Sequence, residues 1–379
     1  MSAAAADFDA LAQPGIRSLR AYDPGHDLVA LRAAHAGALI ELGSNESPFG
    51  MVPGALDAIL AALPEIFRYP DPRGGALKQV LAQAHGVGLE QIILGNGSHE
   101  LLMLLAQVFA GPTAGVVASQ FGFAVYAIAA NAANAPLRLA PALPRTAVMA
   151  RGHDLDAIAD VIDSSTRLLY LANPNNPSGT WYSGDAFAAL LAKLPANVLV
   201  VVDEAYREYV TAPEYVSATA WLHRDPRVIV TGTFSKAYAL AGLRVGYALA
   251  APGLIAVLER ARESFNVNAL GLAAAEASLA DAAHIDRVRV RNAEQRQWLA
   301  DALRARGLFV YPSQTNFVLV EFGNDTLRIE DELLKRGIVL RPMAGYGLAD
   351  CLRISLGTAD ENMRLVAALD AVMAGEGGR

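Results

Sequence analysis

Four short stretches hold residues whose types and spacing could do chemistry. The first is Thr231-Gly232-Thr233-Phe234-Ser235-Lys236, followed by Arg244 eight residues after the lysine. Hydroxyls and a guanidinium suit a phosphate, because they offer donors and a two-pronged fork. A lysine held in a pocket beside them can form a Schiff base with an aldehyde. A ligand that carries both groups is pyridoxal 5′-phosphate. The chain has only four lysines, Lys78, Lys193, Lys236 and Lys335. The plain alternative is that Lys236 faces solvent.

The second stretch is Val200-Val201-Val202-Asp203-Glu204-Ala205-Tyr206, an apolar run that ends in an acid. A buried carboxylate is costly unless it meets donors or a cation, and a protonated pyridine nitrogen is such a cation. Tyr206 could donate to the ring's phenolic oxygen; the alternative for Asp203 is a helix cap. The third stretch, Asn173-Pro174-Asn175-Asn176-Pro177-Ser178-Gly179-Thr180, reads as a constrained turn able to hold the Asn176 amide in one place. The fourth, Gly95-Asn96-Gly97-Ser98-His99-Glu100, reads as an anion cradle at a helix N-terminus. It also suggests a dinucleotide site, but Glu100 stands where that fingerprint needs its last glycine.

These residues must be carried by a scaffold. Short apolar strands are expected at Gln91–Leu94, Gly115–Ala118, Leu168–Ala172, Val198–Val202, Val228–Thr231 and Val245–Ala248. Helical patterns at Glu100–Phe109, Phe123–Ala133 and Gly184–Leu194 lie between several of them. That alternation predicts an α/β fold whose large domain has a mostly parallel sheet covered by helices on both faces. Ligands then bind at the carboxyl ends of the strands. The last third reads as a smaller α+β domain: helices over Asn268–Ala282 and His284–Arg306, strands at Phe317–Glu321, Ile338–Arg341 and Leu352–Ser355, and helices at Thr326–Lys335 and Ala359–Met373. The expected division is 1–45 as a segment packing on the small domain or a partner, 46–264 as the large domain, and 265–379 as the small one.

Composition narrows the function. The 379 residues carry 31 Lys+Arg against 38 Asp+Glu, a net charge of −7, which lacks the basic footprint of a nucleic-acid binder. Hydrophobic residues at 53 % and charged residues at 18 % argue for a large core and against disorder. A single cysteine excludes an internal disulfide, and seven scattered histidines make a metal site unexpected. The segment Leu101–Leu137 has no charged residue, yet Gly111-Pro112 breaks it and polar residues dot it, so it reads as buried helix and strand rather than a membrane span. The N-terminal residues do not read as a secretory signal.

The order of these stretches resembles the fold-type I pyridoxal-phosphate-dependent aminotransferases, and more narrowly the histidinol-phosphate aminotransferases. Further matches are Ser44-Asn45-Glu46-Ser47-Pro48, Tyr69-Pro70-Asp71, Phe121 to Tyr126 and Leu352-Arg353-Ile354-Ser355; together they span about Ile16 to Met373. The resemblance implies that Lys236 holds the cofactor, Asp203 pairs with its ring nitrogen, Asn176 and Tyr206 bond its phenolic oxygen, and Phe123 stacks on the ring. It implies that Gly97, Ser98, Thr233, Ser235 and Arg244 bind the phosphate, joined by Tyr69 from a second subunit of a homodimer with shared active sites. Arg353 matches the arginine for the substrate carboxylate. Arg341 and Tyr22 match positions near a distal substrate phosphate, and Asn45 also falls at the substrate; a surface charge and a packing aromatic are the ordinary readings of Arg341 and Tyr22. Two residues depart from the family pattern: His99 stands where Asp is usual, and Ser47 where Asn is usual.

The expected reaction is amino transfer from histidinol phosphate to 2-oxoglutarate in the cytoplasm, within histidine biosynthesis. Rivals on the same fold are an aromatic amino-acid aminotransferase and a threonine-phosphate decarboxylase. A non-catalytic cofactor-binding regulator would need a DNA-binding module that the sequence does not offer, and a nicotinamide oxidoreductase is disfavoured by the failed glycine fingerprint.

Overall fold

The structure is a computed structural model that describes residues 8–19, 25–35 and 39–375. Tyr22 lies outside the described residues. The strands are, in chain order, β1 (Ile40–Glu41), β2 (Ile92–Gly95), β3 (Gly115–Ser119), β4 (Leu137–Ala140), β5 (Thr166–Ala172), β6 (Leu199–Asp203), β7 (Val228–Thr233), β8 (Gly246–Leu249), β9 (Phe309–Val310), β10 (Phe317–Glu321), β11 (Ile338–Val339), β12 (Arg341–Pro342) and β13 (Cys351–Ser355).

The large sheet has seven strands in the order β2-β8-β7-β6-β5-β3-β4. Only β8 runs against its neighbours. The strands are apolar on both faces because both faces are buried. Alternate residues feed two cores. Leu169, Leu171, Val200, Val202, Val228 and Val230 enter one cluster, while Leu168, Tyr170, Val201 and Ile229 enter the other. The uncharged stretch forms the helix Ser98–Phe109, β3, the helix Ala124–Ala132 and the start of β4, all within this layered body. Among the described residues no helix is long and apolar enough to cross a membrane.

The smaller sheet is antiparallel, ordered β12-β13-β10-β9. β1 pairs in parallel with β11, and Ile40 and Leu42 enter the small domain's core beside Leu299, Leu333 and Leu365. Two expectations change. The stretch Ile338–Arg341 is not one strand: Ile338–Val339 pairs with β1, and Arg341 with Pro342 pairs with β13. The helix Ala269–Leu279, placed by the 264/265 division in the small domain, packs on the helices Pro53–Ala62 and Gly75–His85. Its Ala274 and Ala275 belong to a core of the large sheet. The changeover lies instead in the long helix Ala282–Arg304, whose Ile285 meets the large core and whose Leu299 and Leu303 sit in the small one. Periodicity shows that a helix is apolar, not which core takes it.

Candidate active site

One edge of the large sheet collects the chemistry. The parallel strands end there at Ala172, Asp203 and Thr233, and β8, running the other way, begins there at Gly246 just after Arg244. A cavity of about 340 Å³ opens at this edge, within the ~300–1,000 Å³ typical of small-ligand sites. Its lining includes Ser98, Phe123, Asn176, Asp203, Tyr206, Thr233, Ser235, Lys236 and Arg244 from the large domain, and Arg341 and Arg353 from the small one. Asn45 also lines it.

Asp203 is buried at the end of β6. Its carboxylate accepts from Tyr126 Oη at 3.3 Å, Thr231 Oγ1 at 3.2 Å and the Ala205 N–H at 3.3 Å. Burial still outweighs these donors and raises its pKa to about 6. A carboxylate with three neutral donors and a raised pKa is a seat for a cation, and a protonated ring nitrogen fits that description.

Lys236 follows β7 and sends Nζ to the Ser44 carbonyl at 3.2 Å. Its pKa falls to about 8, first through burial and then through the charge of Arg353, against the pull of Glu46. Such an amine is partly neutral near physiological pH and therefore nucleophilic. Tyr206 Oη accepts from Asn45 Nδ2 at 3.0 Å, which leaves its own proton free to be donated. Asn45 is itself locked: its N–H donates to Ser355 Oγ at 2.8 Å, and that hydroxyl donates back to Asn45 Oδ1 at 3.0 Å.

The anion end is built from backbone. Gly97, with φ of 85°, caps the helix Ser98–Phe109. The first N–H groups of a helix have no acceptor within it. A Cβ on Gly246 would lie 2.3 Å from the Ser98 nitrogen, so only glycine lets β8 run against this turn. Arg244 Nη1 donates to Ser235 Oγ at 3.3 Å, and the Ser235 N–H to Thr233 Oγ1 at 3.1 Å. Hydroxyls, helix N–H groups and a guanidinium thus converge, as a phosphate requires. His99 also lines the cavity, and burial with the nearby Arg244 charge lowers its pKa.

At the opposite end Arg353 donates to Asn176 Oδ1 at 2.7 Å and to the Gly43 carbonyl at 2.8 Å. The turn that holds Asn176 contains cis peptides before Pro174 and Pro177. Arg341 stands directly opposite Arg353 in the β12–β13 pairing. Tyr69 is not in this cavity; it is 82 % exposed and stacks on Phe265 at 4.7 Å.

Sequence reasoning passed over Tyr126 and Thr231 as partners of Asp203, and Tyr346 in the cavity wall. Spacing held a usable signal for two of them. Tyr126 lies three residues after Phe123, one helical turn on, and Thr231 lies two before Thr233 on the same strand face. Tyr346 had none, because its approach depends on how the small domain docks.

The family described as aminotransferase class I and II matches residues 38–369. Histidinol-phosphate aminotransferase 2 of Pseudomonas aeruginosa is 44 % identical over 373 residues, covering 97 % of this chain and 99 % of that protein. Histidinol-phosphate aminotransferase 1 of Nitrosococcus oceani is 43 % identical over 368 residues, covering 97 % and 98 %. The solved structure of histidinol-phosphate aminotransferase from Sinorhizobium meliloti, in complex with pyridoxal 5′-phosphate, superposes with a TM-score of 0.85 at 33 % identity, covering 96 % and 97 % of the two chains.

Proposed function

Because the chain belongs to the class I and II aminotransferase family, we propose that it is a pyridoxal-phosphate-dependent transaminase that moves the amino group of histidinol phosphate to 2-oxoglutarate. The observation that carries the substrate reading is the Arg341–Arg353 pairing. Residues directly opposite in an antiparallel pair share a face, and both arginines line the cavity. A guanidinium accepts either a phosphate or a carboxylate as its partner. One reaction partner offers a phosphate and the other a carboxylate, and both fit the pair. The near-full-length relatives named for this activity support the same reading.

When bound, the cofactor supplies an electron sink for the carbanion formed at the substrate Cα. The protein does the rest. Asp203 would hold the proton on the ring nitrogen, and Tyr206 with the Asn176 amide would bond the phenolic oxygen. Gly97, Ser98, Thr233, Ser235 and Arg244 would hold the phosphate, and Phe123 would stack on the ring. With the cofactor bound, Lys236 Nζ would take the proton from the substrate Cα as a base and deliver it as an acid to the cofactor's aldehyde carbon. Tyr69 acts from a second copy of the chain in a cytoplasmic homodimer. Its exposure beside exposed Ile66 and Phe67 supports that placement.

The test compares turnover of histidinol phosphate, phenylalanine and threonine phosphate with 2-oxoglutarate, with carbon dioxide monitored. Preference for histidinol phosphate without gas release is expected. Arg353→Ala should depress kcat/KM for both partners, and Arg341→Ala should cost about 10²-fold with the phosphorylated one and far less with glutamate. Equal losses in the Arg341 variant would count against the division of labour, and faster turnover of phenylalanine against the substrate.

A further inference from the structure

A second cavity, of about 270 Å³, lies between the long helix Ala282–Arg304 and the loops at Thr211 and Gln314; it shares no lining residue with the first. Its distinctive feature is Arg296, which is only 8 % exposed. The guanidinium donates to the Thr315 carbonyl at 3.0 Å, the Tyr209 carbonyl at 3.5 Å, Gln314 Oε1 at 3.1 Å and Thr211 Oγ1 at 3.2 Å. Every one of these acceptors is neutral, and Arg296 forms no ion pair with any described residue.

Buried cations are normally paired, because removing the charge from water costs more than neutral acceptors return. Burial alone lowers this guanidinium's pKa to about 10, with no carboxylate to offset it. The cavity beside it is polar in character, with Gln297 and Ser313 in its wall and Arg304 at its rim. Arg304 is balanced by Asp301 at 3.2 Å, so the unbalanced charge in the cavity is that of Arg296.

We infer that this cavity binds a small oxyanion of the phosphate or carboxylate class, held by Arg296 from inside and by Arg304 at the mouth. Both prongs already donate within the protein, so the anion would enter by replacing the cavity-lining Thr211 Oγ1 and Gln314 Oε1 as acceptors of Arg296 Nη2. The site bridges the two domains. Tyr209 and Thr211 belong to the segment after β6, Gln314 and Thr315 to the one before β10.

The test is equilibrium dialysis of the holoenzyme against labelled inorganic phosphate, and in a second arm against labelled succinate. The background is Arg341→Ala/Arg353→Ala, which removes the two guanidiniums that would hold a substrate oxyanion beside the cofactor. One saturable site per chain is expected for at least one anion, and the tighter of the two assigns the class. Arg296→Gln should weaken it by more than about tenfold, and Arg304→Gln by a few-fold. If Arg296→Gln does not fold, the rim variant and the background protein still decide. Absence of saturable binding of both anions up to about 20 mM overturns the inference. So does binding that the Arg296 and Arg304 substitutions leave unchanged.

Discussion

The Lys236 amine should titrate far below Lys193 and Lys335, which serve as controls within the chain. Burial and the Arg353 charge bring Lys236 to about 8. Asp331 and Glu332 hold Lys335 up at about 12, and Asp156 raises Lys193. At pH 7.5, a pKa of about 8 leaves roughly a quarter of the Lys236 amines neutral, against about 0.1 % for an ordinary lysine. That is on the order of 200-fold more nucleophile. The assay is trace acetylation of cofactor-free protein across pH, with each lysine peptide quantified by mass spectrometry. Lys236 labelling should reach its midpoint near pH 8 and level off while Lys193 and Lys335 are still rising. Arg353→Ala should move that midpoint up, since the Arg353 charge disfavours the ammonium. Asp203→Asn should move it down, since the carboxylate favours the ammonium. A Lys236 midpoint that tracks Lys193 would refute the argument, as would a shift of the wrong sign in either variant.

Asp203→Asn keeps the shape but not the charge, and should lower kcat by about 10²–10³-fold in single-turnover measurements while the fold, followed by thermal melting, is retained. Gly246→Ala puts a methyl 2.3 Å from the Ser98 nitrogen and pushes apart the phosphate turn; cofactor affinity measured by fluorescence quenching should fall at least about tenfold, with a stability loss of roughly 1–3 kcal/mol in urea. Asn45→Ala strips Tyr206 Oη and Ser355 Oγ of buried partners, and should cost about 1–3 kcal/mol in urea unfolding and reduce kcat.

The large domain was legible because its strands are buried on both faces and therefore read as continuous apolar runs, two of which, β6 and β7, end in Asp203 and Thr233. Asp203 and Thr233 are found that way, as strand ends, and Lys236 lies three residues beyond. The late helices Thr326–Lys335 and Ala359–Met373 were legible from their periodicity, since one face of each is apolar and buried. The Ile338–Arg341 stretch was not, since two short strands in different sheets have the same local pattern as one longer strand.

The cofactor chemistry was settled by residue type and order. Few side chains form imines or seat a pyridinium, and those that do occur here at strand ends, where the chain must turn and expose them. The reach of each group was settled only by packing. Burial sets the Asp203 and Lys236 pKa values, the β12–β13 register brings Arg341 opposite Arg353, and tertiary packing puts Tyr346 in the cavity wall. These depend on how separate segments pack, as where Lys236 meets Ser44, and no local pattern encodes a dielectric or a register.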